Sequence, residues 1–226
     1  MVTNERITAY LHSLDKDAKP FFDALRKHAE AEDVPIIRRE MESFLRMILL
    51  IHQPEQILEI GTGIAYSTLF FADNCGSVRK IVTIENYQPR IEEARQNIES
   101  FLQMRPKDAN PLSIDLLEAD ATTAIHALNE TFDFIFLDGP KAQYIGMLPQ
   151  LLKLLKEGGI LLADNVLQEG DLIDSRYVTP RRQRTIHERM RDYVWDVMHR
   201  DDLESTLLTI GDGVTLSVKK ENHDGM

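Results

Sequence analysis

Two stretches of the sequence end on oxygen-bearing side chains that could do chemistry together. "FIFLDGPK" carries Asp138 after an apolar run, and "ILLADNV" carries Asp164 and Asn165 after another. Carboxylate, amide and water oxygens are the donors that a hard divalent cation such as magnesium prefers. Two acids and an amide fill only part of an octahedron, leaving positions for water and for two neighbouring oxygens of a substrate. The competing structural reading makes Asp138 and Asp164 strand-end caps and puts Asn165 in a turn. Lys141, three residues beyond Asp138, could stabilise a substrate oxyanion or accept its proton, or it could be a solvent-facing helix residue.

A second group lies closer to the N-terminus. In "EIGTGIAYS", Gly61 and Gly63 permit a tight turn and close backbone approach as the chain enters a helix near Ile64. A G-x-G turn by itself could hold a dinucleotide, another adenosyl cofactor, or nothing. Position 66 is Tyr rather than the third glycine of a dinucleotide fingerprint, which argues against close pyrophosphate packing. Glu85, 22 positions beyond Gly63 in "VTIEN", is placed to accept hydrogen bonds from a ribose diol. Asp120 and Ala121 in "EADAT" could line an adenine ring, and Asp120 could equally cap the helix that follows.

Such residues need a scaffold that brings strand ends together. Short apolar runs, "QILEIG", "KIVTIE", "LSIDLLEAD", "FDFIFLDG" and "GGILLADN", alternate with helical patterns that include 87–103 and 142–155. Buried strands alternating with helices indicate a parallel α/β sheet covered on both faces, whose ligands bind at the carboxyl ends of the strands. Three amphipathic segments precede the first strand, the last running from about residue 37 to His52-Gln53 before Pro54, where the proline disfavours further helix. After a helix at about 183–199, "ESTLLTIG" and "GVTLSVKK" are joined across Gly211-Asp212-Gly213, which predicts an antiparallel hairpin closing the sheet. In that final helix Tyr193 and Trp195 are expected to pack against the sheet.

The 226 residues, 43% hydrophobic, suit one domain: N-terminal helices over 1–53, a core over 54–220, and a frayed tail at "ENHDGM". The single cysteine, Cys75, excludes an intrachain disulfide, and no Cys/His cluster suggests zinc, which favours a reducing, cytoplasmic setting. The opening residues lack the apolar stretch of a signal peptide, and no later run approaches the roughly 18 apolar residues of a membrane-spanning helix. Against a net charge of -11, residues 176–191 concentrate six arginines with Glu188 as their only acid. Guanidinium groups bind phosphates well, so the trio Arg181, Arg182 and Arg184 beside Pro180, extended by Arg38 and Arg39, forms a candidate RNA contact. The plainer reading has Arg189 and Arg191 facing solvent on an amphipathic helix.

Taken together, "VPII", "EIGTGIAYS", "IVTIE", "EADA", "FIFLDGPKAQY", "GGILLADNVL" and "GDGVTLSVKK" resemble the metal-dependent, catechol-type class I S-adenosylmethionine O-methyltransferases over nearly the whole chain. The resemblance implies a Rossmann-like fold with a mostly parallel seven-stranded sheet, a C-terminal antiparallel hairpin and extra N-terminal helices. It implies that Glu85 holds the cofactor ribose, that Asp120 and Ala121 surround its adenine, and that Gly61, Gly63 and Ser67 line the methionine-binding turn, with Glu59 in the same segment. It places Ile37 near the methionine end, Asp138 beside both cofactor and metal, Asp164 and Asn165 on a magnesium ion, and Lys141 with Asp138 as catalytic. Two departures are visible: Ala65 stands where many relatives have glycine, and "LDGPK" replaces a run of two alanines before the lysine.

Within that family, "KAQY" and "PRRQRTI" most closely resemble the branch that methylates 5-hydroxyuridine at the tRNA wobble position, forming 5-methoxyuridine. That resemblance implies tRNA as partner, with the arginines on its phosphates. It also implies a homodimer, whose interface the N-terminal helices could supply. A small catechol is the alternative acceptor, since it too offers a hydroxyl beside another metal-binding oxygen. An RNA-binding module with a relic cofactor pocket is the alternative of a different class.

Overall fold

The computed structural model describes residues 5–175, 177 and 179–221, so Arg176 and all but the first residue of the expected tail lie outside the described residues. The chain divides into two compact units, one over Glu5–Asp120 and another from Ala121 onward. Seven strands form one sheet in the order β3-β2-β1-β4-β5-β7-β6.

The first unit opens with α1 (Glu5–Ser13), α2 (Pro20–Ala31) and α3 (Arg39–His52). Pro20 starts α2 because its missing N–H is not needed there, and α3 stops where Gln53 turns left-handed, at φ 53°, just before Pro54. Then follow β1 (Gln56–Ile60), α4 (Tyr66–Asn74), β2 (Lys80–Glu85), α5 (Gln88–Met104) and β3 (Ser113–Glu118). β1 and β2 are buried almost end to end and pair in parallel, Ile57 with Ile81 and Ile60 with Ile84. β3 pairs with β2 in parallel, Glu118 opposite Glu85, but its residues are only part-buried or exposed. The buried strand expected there is instead a sheet edge, with a neighbour on one side only.

The second unit carries α6 (Ala121–Ala127), β4 (Phe132–Leu137), α7 (Tyr144–Leu154), β5 (Leu155–Ala163), α8 (Arg184–His199), β6 (Leu203–Leu208) and β7 (Val214–Lys219). Short 3-10 turns stand at Lys141–Gln143, Gln168–Ile173 and Arg181–Gln183. β4 and β5 run parallel with Phe134 opposite Ile160 and Leu137 opposite Ala163, whereas β7 is antiparallel to both β5 and β6. Phe132, Phe134, Phe136, Leu161 and Leu162 are buried, each contributing about 1.5–3 kcal/mol of apolar burial. The expected hairpin is present, its turn built on left-handed Gly211 and Gly213.

The final helix divides its aromatics differently from the expectation. Tyr193 is buried, edge-on to Tyr144 with ring centroids 5.4 Å apart. Trp195 is 67% exposed and stacks on His199 at 3.7 Å instead of on the sheet. The helical period explains this, since two residues along an α-helix rotate a side chain to nearly the opposite face. Among the described residues, no helix is long and apolar enough to cross a membrane.

Candidate active site

In the first unit, the expected cofactor residues gather at the carboxyl ends of β1 and β2. Gly61 and Gly63 both adopt left-handed backbone, at φ 98° and 54°, and Gly61 N–H donates to the Ile84 carbonyl at 3.0 Å. A Cβ placed on Gly63 would meet nothing within 4 Å, so the turn faces open space. The Glu85 carboxylate accepts from three backbone N–H groups: Gly63 on Oε2 at 2.9 Å, and Asn86 and Tyr87 on Oε1 at 2.9 and 3.0 Å. It is therefore fixed in direction by main chain alone.

Below the turn, Glu59 is fully buried and accepts hydrogen bonds from Ser67 at 2.5 Å, Thr83 at 2.6 Å and Thr68. Burying a carboxylate is costly without such donors, and this set locks the start of α4 onto β1 and β2. Ser67 and Glu59, both expected along the cofactor, are thus bonded to each other. Asp120 accepts from Asn86 Nδ2 at 3.5 Å, and Ala119 N–H donates to the Glu85 carbonyl at 3.0 Å. Ile37 is buried on the segment before α3, its carbonyl accepting from Arg26 at 2.9 Å.

In the second unit, the metal candidates meet at the ends of β4 and β5. Asp164 N–H donates to the Leu137 carbonyl at 3.0 Å, and Asn165, left-handed at φ 56°, donates its N–H to Asp164 Oδ1 at 2.7 Å. Asn165 Nδ2 and Lys141 Nζ both donate to Asp138 Oδ1, at 3.2 and 3.4 Å. Asp138, Lys141, Asp164 and Asn165 therefore form one cluster, while Ala121 stands apart from it in sequence at the start of α6. Among the described residues no three of His, Cys, Asp and Glu group together, since the third oxygen donor here is the amide of Asn165.

Residues outside the expected set support this corner. Tyr144 donates its hydroxyl to the Leu137 carbonyl at 3.1 Å, and burial, reinforced by the charge of Asp138, holds its phenol well above the ordinary value. Beyond Asn165, Val166 and Leu167 donate to the carbonyls of Gly213 and Asp212, and Asp212 Oδ1 accepts from Glu169 N–H at 2.5 Å. The G-D-G of the hairpin marked the turn in the sequence, but nothing there showed that it also clamps the chain after Asn165.

The O-methyltransferase family model matches residues 12–220. The chain belongs to this family. A caffeoyl-CoA O-methyltransferase of Citrus natsudaidai is 30% identical over 185 residues, spanning 77% of this chain and 75% of that one. A catechol O-methyltransferase of Niastella koreensis is 29% identical over 145 residues, 62% of each. Among solved structures, a candidate caffeoyl-CoA O-methyltransferase of Staphylococcus aureus superposes with a TM-score of 0.81 at 27% identity, covering 96% of this chain and 99% of that one. An S-adenosylhomocysteine-bound methyltransferase of Podospora anserina, at 24% identity and a TM-score of 0.81, shares the fold. The chain has the Rossmann-like class I methyltransferase fold expected of it.

The tRNA assignment is overturned. The matching relatives include O-methyltransferases of caffeoyl-CoA and catechol type, and several arginines of the basic segment bond chain carbonyls. Arg184 donates to the carbonyls of Thr179 and Tyr177, Arg191 to those of Leu172 and Asp174, and Arg189 to that of Ala142. An irregular stretch leaves carbonyls without ladder partners, and arginine's several donors satisfy them. Arg181 and Arg182 are exposed, Arg38 is half-buried, and Arg39 lines a cavity of ≈ 180 Å³ shared with the acids Asp15, Asp17, Glu42 and Asp73. The RNA contact expected of Arg38, Arg39, Arg181, Arg182 and Arg184 loses its basis with the tRNA assignment, and Arg184 is engaged by main-chain carbonyls instead. Of the tyrosines near these segments that could stack on a base, Tyr66 and Tyr144 are buried and hydrogen-bonded, whereas Tyr177 is exposed.

Proposed function

We propose that the chain transfers a methyl group from S-adenosylmethionine to a hydroxyl of a small catechol-type acceptor. The observation that carries this reading is the convergence of Lys141 and Asn165 on one oxygen of Asp138, beside Asp164, at adjacent strand ends in an O-methyltransferase. The donor set Asp138, Asp164 and Asn165 offers only oxygens once the Asn165 amide is turned over, which fits magnesium or another hard cation. When bound, the cofactor supplies an electrophilic methyl group and the cation lowers the pKa of the acceptor hydroxyl.

The remaining work falls to the chain. Glu85, held by backbone N–H groups, accepts from the ribose diol, and the open face of Gly63 admits the methionine portion. Asp120 and Ala121 flank the adenine, with Gly61, Ser67 and Ile37 framing the sulfonium end. The Lys141 ammonium stabilises negative charge on the acceptor oxygen as it develops, and holding acceptor and methyl in line contributes much of the rate.

The test is methyl transfer from labelled S-adenosylmethionine to a caffeoyl-type catechol, and to the monophenol of the same skeleton, with magnesium or with chelator. Transfer confined to the catechol with magnesium supports the reading. Equal transfer to the monophenol in chelator removes the cation, and transfer to neither phenol by protein that binds cofactor removes the acceptor class. A second copy as partner has support from Met47, Leu50 and Ile51 on α3, Tyr10 on α1 and Leu14 just after it, all apolar and exposed. Sedimentation of a monomer at micromolar concentration would remove that partner.

A further inference from the structure

Beyond the Ile37 carbonyl that it holds in the site described above, Arg26 reaches two further oxygen acceptors of the first unit. Its Nη2 donates to the Ile37 carbonyl at 2.9 Å, to Glu42 Oε1, and to the Tyr66 hydroxyl at 3.3 Å. Its guanidinium lies over the Tyr66 ring, 5.0 Å from the centroid. Tyr66 in turn donates to Glu42 Oε1 at 2.7 Å, so the phenol both donates and accepts. The side chains of Arg26 and Glu42 are only 11% and 14% exposed, which makes this a nearly dry ion pair that strengthens its own hydrogen bonds.

The elements that meet here matter more than the pair itself. One α2 turn before Arg26, Phe22 sets its ring edge-on to Tyr66 with centroids 5.7 Å apart, so positions i and i+4 of α2 grip the same tyrosine. Tyr66 is the first residue of α4, directly after Ala65 and the Gly61–Gly63 turn, while Ile37 belongs to the segment that left-handed Asp33 starts after α2. A single guanidinium thus ties the Ile37 segment to the turn that precedes α4. Burial, with the neighbouring Glu42 charge, pushes the Tyr66 phenol far up, so it stays a donor at every working pH.

We propose that Arg26 is a positioning residue of the cofactor site, a latch that holds Ile37 at a fixed distance from the glycine turn and so shapes the pocket for the methionine end of S-adenosylmethionine. The proposal rests on the cofactor reading above. Removing the latch frees the Ile37 segment, and cofactor binding then has to order it. The cost falls on cofactor affinity and leaves the transfer step itself nearly unchanged.

The experiment measures S-adenosylhomocysteine binding by calorimetry, together with KM for S-adenosylmethionine, kcat and thermal melting, for Arg26→Met, Arg26→Lys and Tyr66→Phe. Arg26→Met is expected to weaken cofactor binding by about tenfold, with kcat at saturating cofactor within about twofold of the parent. Arg26→Lys restores part of the affinity, because an ammonium reaches one or two of the acceptors but cannot lie flat on the ring. Tyr66→Phe, which keeps the Arg26–Glu42 pair, weakens binding by about threefold and keeps the proposal open to refutation if Arg26→Met does not fold. Folded variants that bind cofactor like the parent overturn it, as does a fall in kcat and melting temperature with KM unmoved. A parent protein that binds no S-adenosylhomocysteine overturns the cofactor reading itself, which separates the two failures.

Discussion

The two acidic corners of the sheet are constructed by different means. Glu85 is oriented by backbone N–H groups from Gly63, Asn86 and Tyr87, whereas Asp138 is oriented by the side chains of Lys141 and Asn165. A carboxylate fixed by main chain keeps its geometry through many substitutions of its neighbours. One fixed by side chains can exchange those partners for a ligand, as a site that must take up a cation and an acceptor requires. The first corner is therefore suited to a constant group, the cofactor, and the second to groups that come and go.

The strongest way to break this contrast is Asp138→Asn. It keeps the shape but removes the negative charge on which Lys141 and Asn165 converge and turns one oxygen into an N–H donor, and kcat/KM for a catechol is expected to fall by about 10³-fold. Calorimetry with S-adenosylhomocysteine should show a much smaller loss, since Glu85, the proposed ribose acceptor, is untouched. An equal loss in both measurements would show that the corners are not separable.

Gly213→Ala attacks the same corner through its support. A Cβ there would lie 2.3 Å from Leu167 Cγ on a backbone at φ 85°, so both space and conformation forbid it. The expected cost is about 3 kcal/mol, or a melting temperature lower by roughly 6–12 °C for a chain of this length. Catechol turnover should suffer more than cofactor binding in whatever protein folds. A variant that melts like the parent would mean that the hairpin turn does not clamp the chain after Asn165.

On the cofactor side, Glu85→Gln keeps the shape and removes the charge. One end of the carboxamide then presents N–H to a backbone N–H, Gly63 on one side or Asn86 and Tyr87 on the other. Cofactor affinity is expected to fall by about ten- to thirtyfold, with kcat at saturation little changed. Unchanged affinity would remove Glu85 from the ribose.

How far the sequence disclosed this arrangement follows from the same contrast. Strand ends announce themselves by apolar runs, so Glu85, Asp138, Asp164 and Asn165 could be placed before any coordinates, and the G-D-G hairpin with them. β3 was misread as buried because apolar content does not tell an edge strand from an inner one. The basic segment misled for another reason. Arg184 and Arg191 serve the carbonyls of Thr179, Tyr177, Leu172 and Asp174, and a carbonyl in need of a donor leaves no mark in the side-chain pattern. Arg26 was passed over because its partners Ile37, Glu42 and Tyr66 are 11, 16 and 40 positions away, distances that no helical or strand period links.

Ala65 sharpens the comparison with the smallest expected effect. By the family resemblance, Ala65 stands where many relatives have glycine. The backbone places it outside the helix, at φ 66° and ψ 22° just before Tyr66, in the left-handed region where a Cβ crowds the carbonyl oxygen. Such a residue stores about 1–2 kcal/mol of strain, and replacing it with glycine returns that while giving the unfolded chain about 0.4–1 kcal/mol of extra entropy. Ala65→Gly is therefore expected to raise stability by roughly 0.5–1 kcal/mol, read as a higher urea midpoint at constant slope. Because the Glu59 and Glu85 hydrogen bonds around the turn do not involve the Ala65 side chain, cofactor affinity should stay at the parent value. A loss of stability would mean that the buried methyl contributes packing that outweighs the strain. A gain accompanied by tighter cofactor binding would show that the main-chain corner, rigid as its bonds make it, is still held away from its best geometry by one methyl group.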